Sequence, residues 1–182
     1  MKYCSNCGQP VSVRVPAGDT LPRYVCDACD TVHYQNPRMV VGCIPQWEDK
    51  VLLCQRAIEP RSGFWTLPAG YLEKGETTLE GAARETLEEA NARVAIDALH
   101  TMVNLPHIDQ VYLIFRARLL DLDFSPGEES LETGLFERAQ IPWDRLAFPT
   151  ITYALERYFE DLDRGEFRTR VKDMIFRRRI EE

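Results

Sequence analysis

The chain has 182 residues, of which 45% are apolar, and its formal net charge at pH 7 is −7. This length fits one ordinary domain with a small appendage, and the acidic balance argues against a protein that coats nucleic acid. No apolar run is long enough to span a membrane, and the first residues, MKYCSNCGQP, lack the apolar centre of an export signal. We therefore expect a soluble cytoplasmic protein without a membrane partner.

Two CxxC pairs separated by eighteen residues stand near the start of the chain. Their members are Cys4, Cys7, Cys26 and Cys29. Four thiolates at this spacing suit a closed tetrahedral site for structural zinc, and the alternatives are two disulfides or four reduced thiols. Because so short a segment cannot build its own core, we predict a zinc ribbon over residues 1–36 and a second domain over residues 37–182. His33 lies nearby in sequence, but four cysteines complete the ligand set, so we expect it at the surface or in an interface.

Strand and helix patterns follow in the second domain. Apolar runs over residues 39–47 and 50–56 predict a β-hairpin, and runs over residues 93–105 and 110–120 predict two long strands. The sequence FPTITYALERYFEDLDRG predicts an amphipathic helix that ends at Gly165. Its predicted core face consists of Ile151, Ala154, Leu155, Tyr158, Phe159 and Leu162.

The stretch from Gly70 to Ala92, GYLEKGETTLEGAARETLEEANA, predicts a glycine-containing loop followed by a helix. Thr77 and Glu80 fit a capping box at the start of the helix. Asn91 tolerates the left-handed conformation that ends a helix. At helical spacing, one stripe is predicted to face the core: Leu79, Ala82, Ala83, Thr86, Leu87 and Ala90.

Three glutamates share the side of this helix opposite to that stripe. They are Glu85, Glu88 and Glu89. Like charges three and four residues apart destabilise a helix by roughly 0.2–0.5 kcal/mol per pair, so a bound cation would relieve the repulsion. Hard cations such as Mg²⁺ take carboxylate oxygens together with substrate phosphates. The alternative is an ordinary acidic face exposed to solvent.

The longer spacing around these glutamates is more informative. Gly70, five residues, Glu76, seven residues and then Arg84-Glu85-Thr86-Leu87-Glu88-Glu89 resembles the signature of the Nudix hydrolases. Thr86 and Asn91 depart from it, at positions where the family has an aliphatic residue and a glycine. The resemblance implies the α/β fold of the family, an α/β/α sandwich with a mixed β-sheet, here preceded by the small zinc ribbon. It also implies an enzyme that hydrolyses a phosphoanhydride, and a homodimer.

The family resemblance assigns roles to individual residues. The three glutamates and the carbonyl of Ala69 would hold Mg²⁺ or Mn²⁺. Arg84 would hold the glutamates in place, with Glu76 as its structural partner. A glutamate from a later loop would handle the attacking water, and the segment PGEESLE offers Glu129 and Glu132 for this role.

Within the family, the chain resembles the zinc-ribbon group that is similar to the plant pyrophosphatases of FAD and ADP-ribose. The segments YQNPRMVVGC, FWTLPAGYLEKGE, PGEESLE and IPWDRLAF carry this resemblance, and the Ser-Gln-Pro-Trp-Pro-Phe-Pro motif of the NADH pyrophosphatases is missing. The resemblance implies cleavage of FAD, ADP-ribose or an NADH-like dinucleotide with release of AMP. The candidate substrate-binding residues are Arg56, Phe64, Trp65 and Tyr71. Trp65 fits a core position equally well.

Two other functions stay open. One is the removal of NAD-type caps from RNA by the same chemistry, and the other is a non-catalytic module that binds RNA or a protein. The intact carboxylates argue against the second, and the acidic charge makes nucleic acid an unexpected partner. Residues 164–179 nevertheless hold seven basic and two acidic side chains, which form either a solvated tail or a strip that attracts polyanions.

Overall fold

The computed structural model describes residues 1–175 in two compact units, one over Met1–Asn36 and one that begins at Pro37. The first unit is a three-stranded antiparallel sheet. Its strands are β1 (Val11–Arg14), β2 (Arg23–Cys26) and β3 (Val32–His33). The sulfurs of the four paired cysteines converge in this unit, all within 4.8 Å of one another, which is consistent with the predicted ribbon. None of the helices that the structure describes has both the length and the apolarity to cross a membrane.

An eight-stranded sheet forms the centre of the second unit. Its strands are β4 (Arg38–Trp47), β5 (Lys50–Arg56), β6 (Trp65–Thr66), β7 (Ala69–Tyr71), β8 (Val94–Leu105), β9 (Gln110–Leu119), β10 (Ser130–Glu137) and β11 (Arg170–Asp173). The order is β10-β5-β4-β9-β8-β11, with β6 paired to β5 and β7 to β4. The pairs β4–β9 and β8–β11 are parallel and the others antiparallel. The predicted mixed sheet, hairpin and long strands are therefore confirmed.

Two helices cover opposite faces of this sheet. They are α1 (Thr78–Ala90) and α2 (Pro149–Arg164). Because side chains alternate along a strand, Val41 and Cys43 of β4 point to one face and Ile44 points to the other. Ala82 of α1 packs with the first two residues, whereas Leu155 of α2 packs in the cluster that contains Ile44. The fold is therefore the predicted α/β/α sandwich.

The ends of both helices follow the predicted capping chemistry. The Thr77 hydroxyl accepts the Glu80 N–H at 3.2 Å, and the Glu80 carboxylate accepts the Thr77 N–H at 2.8 Å. Asn91 ends α1 at a φ of 48°, and Gly165 ends α2 at a φ of 69°. The predicted core face of α2 is also confirmed: five of its six residues are buried, and Leu162 is half-buried against the same cluster.

The core face predicted for α1 is only partly right. The buried residues of the helix are Gly81, Ala82, Glu85, Thr86, Glu89 and Ala90. Leu79 and Leu87 of the predicted stripe are 46% and 50% exposed, so the buried face is rotated toward the glutamates. Small residues explain the rotation, because a Cβ atom at Gly81 would lie 2.9 Å from a Val41 methyl group. The helix therefore approaches the sheet along its glycine and alanine side.

The chain after α2 returns to the sheet as β11, parallel to β8. Arg170 forms an ion pair with Asp161 of α2, whose carboxylate is buried and also accepts the Arg168 N–H at 3.1 Å. Part of the basic segment is therefore an ordered strand, and a wholly solvated tail is the wrong description of it. The remaining basic cluster, Arg177–Arg179, lies outside the described residues.

We predict that Asp161→Asn lowers the free energy of unfolding by about 2–3 kcal/mol, because it leaves the Arg170 guanidinium without its counter-charge. The hydrogen bond from Arg170 lowers the pKa of Asp161 from 3.8 to about 2. The carboxylate therefore contributes stability above pH 3.8, and this contribution is lost as the pH falls through about 2.

Denaturant unfolding at about pH 5 and about pH 2 measures this effect. The difference between the wild type and Asp161→Asn should be large at the higher pH and small at the lower one. The control is Asp163→Asn, since its pair with Arg138 is exposed and such pairs contribute about 0–1 kcal/mol. An equal difference at both pH values would contradict the assignment.

Candidate active site

The loop before α1 lies directly against the buried glutamates of that helix. Gly70 passes so close to Glu85 that a Cβ atom at position 70 would overlap the Glu85 carboxylate. The Ala69 N–H donates to Oε2 of Glu89 at 3.2 Å. Backbone therefore covers both carboxylates, and Glu85 and Glu89 are only 8% and 7% exposed.

One guanidinium connects this loop and helix. Nε of Arg84 donates to Glu76 at 3.0 Å, and Nη1 donates to Glu85 at 2.8 Å and to Glu88 at 2.9 Å. Nη2 donates to the carbonyl of Tyr71 at 3.0 Å. Because these are charge-assisted bonds, they fix the spacing of the carboxylates and neutralise part of their charge.

The electrostatics of the site follow from this burial. Burial raises the pKa of Glu85, because desolvation disfavours the charged form, while Arg84 opposes the change. Burial also raises the pKa of Glu89 to about 8; the Ala69 N–H opposes this, and the charges of Glu85 and Glu129 add to it. When both are ionised, the buried carboxylates of Glu85 and Glu89 therefore repel one another, and water screens the repulsion only weakly.

A hard divalent cation fits this donor set. Buried carboxylates with raised pKa values gain from a positive charge, and their oxygens are the ligands that Mg²⁺ prefers. Among residues 1–175, no three of the glutamates have oxygens that all lie within 4.8 Å of one another, as the four cysteine sulfurs do. That spacing suits a cation bound by one or two carboxylates plus substrate phosphates better than an all-protein cage.

The two candidates for handling the water occupy different positions. Glu129 lines the cleft beside the carboxylates, and its charge contributes to the raised pKa of both Glu85 and Glu89. Glu132 is exposed and does not line the cleft. It already pairs with Gln55 in the sheet, after an irregularity in β10. The structure therefore brings Glu129 into the site and leaves Glu132 outside it.

The cleft next to the carboxylates has a volume of about 910 Å³. Tyr71, Tyr112 and Phe148 supply aromatic side chains to its wall. Arg56 also lines it, with the guanidinium 5.3 Å from the centre of the Phe148 ring. Gln110 donates to the Tyr71 hydroxyl at 2.9 Å. The volume and the mixture of flat and polar groups suit a ligand of dinucleotide size. Of these residues, sequence analysis identified only Arg56 and Tyr71.

Two of the predicted substrate-binding residues do not line this cleft. Trp65 is 8% exposed and belongs to the core, where its ring meets Phe136 edge to face with centroids 4.8 Å apart. Phe64 lies beneath the guanidinium groups of Arg61 and Arg145, at 5.2 and 5.9 Å. The burial of Trp65 therefore fits the core alternative. Phe64 lies outside the wall of this cleft, and its substrate-binding role stays a prediction.

In the first unit, His33 lies next to the cysteine cluster. It is half-buried, and its Nε2 lies 3.3 Å from the sulfur of Cys4. The neighbouring Thr31 hydroxyl lies 3.1 Å from the sulfur of Cys29. Polar groups around metal-binding thiolates of this kind orient the ligands, so the four cysteines have a polar environment that suits a bound cation.

Comparison with known proteins identifies the family. Residues 2–35 match the Nudix N-terminal zinc-ribbon family, and residues 36–158 match the NUDIX domain. The chain therefore belongs to the Nudix family, and it is a Nudix hydrolase with an N-terminal ribbon. The predicted family and the predicted class of enzyme are confirmed.

Three individual proteins are similar to this chain. A Nudix hydrolase from Nitrosomonas europaea has a solved structure that superposes with a TM-score of 0.93 at 58% identity, over 96% of this chain and 99% of the other. ADP-ribose pyrophosphatase from Methanocaldococcus jannaschii is 28% identical over 119 residues, which are 63% of this chain and 69% of the relative. The NAD-capped RNA hydrolase NudC of Yersinia enterocolitica is 26% identical over 174 residues, 88% of this chain. This chain spans only 63% of the length of that second relative.

Proposed function

We propose that this Nudix hydrolase cleaves the pyrophosphate bond of a dinucleotide such as ADP-ribose or FAD and releases AMP. The observation that carries the proposal is the cleft in which Tyr71, Tyr112 and Phe148 adjoin the buried carboxylates. A two-ended substrate needs a charged centre for its pyrophosphate and a flat surface for a ring, and stacking on an aromatic contributes roughly 1–3 kcal/mol. The relative named as an ADP-ribose pyrophosphatase supports this substrate class.

In this proposal, the three glutamates of α1 and the carbonyl of Ala69 would hold Mg²⁺ or Mn²⁺. The bound cation neutralises pyrophosphate charge and lowers the pKa of water. Arg84 keeps the carboxylates of Glu85 and Glu88 at a fixed spacing through its two Nη1 hydrogen bonds. A fixed arrangement avoids reorganisation during the reaction, which is how such sites lower the barrier.

Two residues outside α1 complete the proposed chemistry. Glu129 would accept a proton from the attacking water, because its charge acts on Glu85 and Glu89 and it lines the same cleft. Arg56 would bind a substrate phosphate, since a guanidinium matches phosphate geometry. Its charge acts on Glu89, so it lies beside the carboxylates.

A second candidate substrate is NAD-capped RNA. The relative named as an NAD-capped RNA hydrolase matches 88% of this chain, including the ribbon. The same carboxylates would serve, because the bond to be broken is again a pyrophosphate. RNA would add phosphate contacts and make binding depend steeply on salt, whereas a free dinucleotide would not.

We expect kcat/KM to be higher for ADP-ribose or FAD than for NADH, a nucleoside triphosphate or an NAD-capped oligonucleotide. Within the cleft, Tyr71→Ala should raise KM for the preferred dinucleotide by roughly tenfold through lost stacking. Tyr34→Ala is the matched control, since Tyr34 is an exposed residue of the first unit. A clear preference for the triphosphate would overturn the substrate class and leave the enzyme class unaffected. Salt-dependent preference for the oligonucleotide would favour the second candidate.

Zinc is the ion that we propose for the four cysteines, in a purely structural role, because four protein ligands leave no open position for a substrate. The homodimer and the cytoplasmic location stay predictions. Gel filtration with light scattering measures the first, and microscopy of the tagged protein in its own cells measures the second.

A further inference from the structure

The loop that carries the proposed general base contacts the end of the helix that carries the other carboxylates. The last carbonyls of a helix have no partners within it. Here the Ser125 N–H donates to the carbonyl of Ala90 at 2.9 Å, and the Gly127 N–H donates to the carbonyl of Glu89 at 3.0 Å. A Cβ atom at Gly127 would overlap the carbonyl oxygen of Glu88. The loop backbone and the helix end are therefore in direct contact.

The side chain of Asn91 adds to this contact. Its Nδ2 donates to the Ser125 carbonyl at 3.2 Å, to the Ser125 hydroxyl at 3.1 Å and to the Pro126 carbonyl at 3.2 Å. The backbone of Asn91 is left-handed, with a φ of 48°, and glycine would satisfy that conformation equally well. The Nudix signature has glycine at this position. The asparagine therefore supplies something that the family residue cannot, a side-chain donor to the loop.

The geometry points to Asn91 as a positioning residue for the reaction, because its amide determines where Glu129 lies relative to Glu85 and Glu89. This inference rests on the proposed function, in which Glu129 handles the attacking water. The loop is bound on its far side by the Ala57 N–H, which donates to the Glu129 carbonyl at 2.8 Å. Asn91 binds it on the near side together with the backbone N–H groups of Ser125 and Gly127. Loss of the amide therefore weakens the contact with the helix and leaves the contact with Ala57 unchanged.

Asn91→Gly in the full-length protein tests this inference, because it keeps the left-handed backbone and removes only the amide. We expect kcat for ADP-ribose to fall on the order of tenfold, with KM nearly unchanged, since a displacement of about 1 Å at a catalytic group can cost up to a hundredfold. Glu48→Gly is the matched control, because Glu48 is exposed and has a φ of 54° at a distant hairpin turn. Its kcat should equal that of the wild type.

A double-mutant cycle with Glu129→Gln separates a positioning role from a general structural one. If Asn91 acts through Glu129, Asn91→Gly should cost little further activity once Glu129 is already glutamine. Additive losses would overturn the inference, and so would wild-type kcat in Asn91→Gly. If Glu129→Gln alone leaves kcat unchanged, the proposed role of Glu129 is wrong and the inference falls with it. If Glu129→Gln is impaired and Asn91→Gly is not, only the inference is wrong.

A second variant covers the case in which Asn91→Gly does not fold, which thermal unfolding would reveal. Gly127→Ala retains Asn91 but forces the loop away from the Glu88 carbonyl. It should lower kcat at least as much as Asn91→Gly and should likewise have little effect in the Glu129→Gln background. A Gly127→Ala protein with wild-type kcat would show that the contact between loop and helix does not position Glu129, and would overturn the inference.

Discussion

Replacing Glu89 by glutamine should lower kcat by on the order of a thousandfold, because loss of a charged metal ligand removes several kcal/mol of transition-state stabilisation. The fold should stay intact. Burial raises the pKa of Glu89 to about 8, so the metal-free protein already holds this side chain in its neutral form near pH 7. An amide keeps that shape and neutrality, and its oxygen can still accept the Ala69 N–H.

Steady-state kinetics with a saturating divalent cation, together with thermal unfolding without it, measure the two halves of this prediction. Glu156→Gln is the matched control, because Glu156 is an exposed glutamate on α2 and should leave kcat unchanged. Removal of the cation by a chelator should abolish wild-type activity, and readdition of the cation should restore it. Near-wild-type turnover in Glu89→Gln would refute the assignment of Glu89 as a ligand.

Cys26→Ser should release the bound zinc and unfold the first unit. Cys26 is fully buried, and zinc binding in small domains of this kind is worth roughly 10–16 kcal/mol, so little else can hold residues 1–36 in shape. The second unit has three hydrophobic clusters of its own and should keep its fold. Metal analysis and amide hydrogen exchange of the purified protein measure both effects.

Cys43→Ser is the matched control for the zinc experiment. Cys43 is buried in the second unit, with its sulfur 3.1 Å from the Thr86 hydroxyl, and a serine there should leave the zinc content unchanged. If mass spectrometry found the four ribbon cysteines joined in disulfides, the zinc assignment would be wrong.

Local patterns in the sequence were sufficient to predict β4, β5, β8 and β9, the helix α2 and the helix ends. These features depend on neighbours along the chain: the Thr77–Glu80 box spans four residues, and Gly165 ends α2 through its own backbone. The face of α1 depends on distant parts of the chain as well. Periodicity assigned Leu79 to the core, but Gly81 lets a different side of the helix approach the sheet.

The sequence predicted the charged residues of the site better than the aromatic residues around them. The signature identified the glutamates of α1, but it could not choose between Glu129 and Glu132, because the irregularity in β10 that separates them is a property of strand pairing. Tyr112 and Phe148 come from β9 and from the residue before α2, and only the tertiary fold brings them to one wall. Trp65 could not be assigned from sequence, since an aromatic residue beside the loop that precedes α1 fits either a core or a stacking position.

The strand β11 also could not be predicted from local sequence. Its sequence, RVKD, has neither an apolar run nor a turn signal, so nothing local predicts a strand. Contacts with distant parts of the chain hold it in place, namely its pairing with β8 and the ion pair between Arg170 and Asp161 of α2. The sequence therefore allowed either a solvated tail or a strip that attracts polyanions, and it did not predict that part of this basic segment completes the sheet.

Two positions without side chains constrain the proposed catalytic centre as firmly as its charges do. Gly70 leaves the volume that the Glu85 carboxylate fills, and Gly127 leaves the volume that the carbonyl of Glu88 fills. Neither glycine carries a reactive group, yet any larger residue at position 70 or 127 would overlap the Glu85 carboxylate or the Glu88 carbonyl. The substitutions that this centre tolerates are therefore limited by excluded volume as well as by chemistry. Transfer of the glutamates alone to another protein would not reproduce the centre.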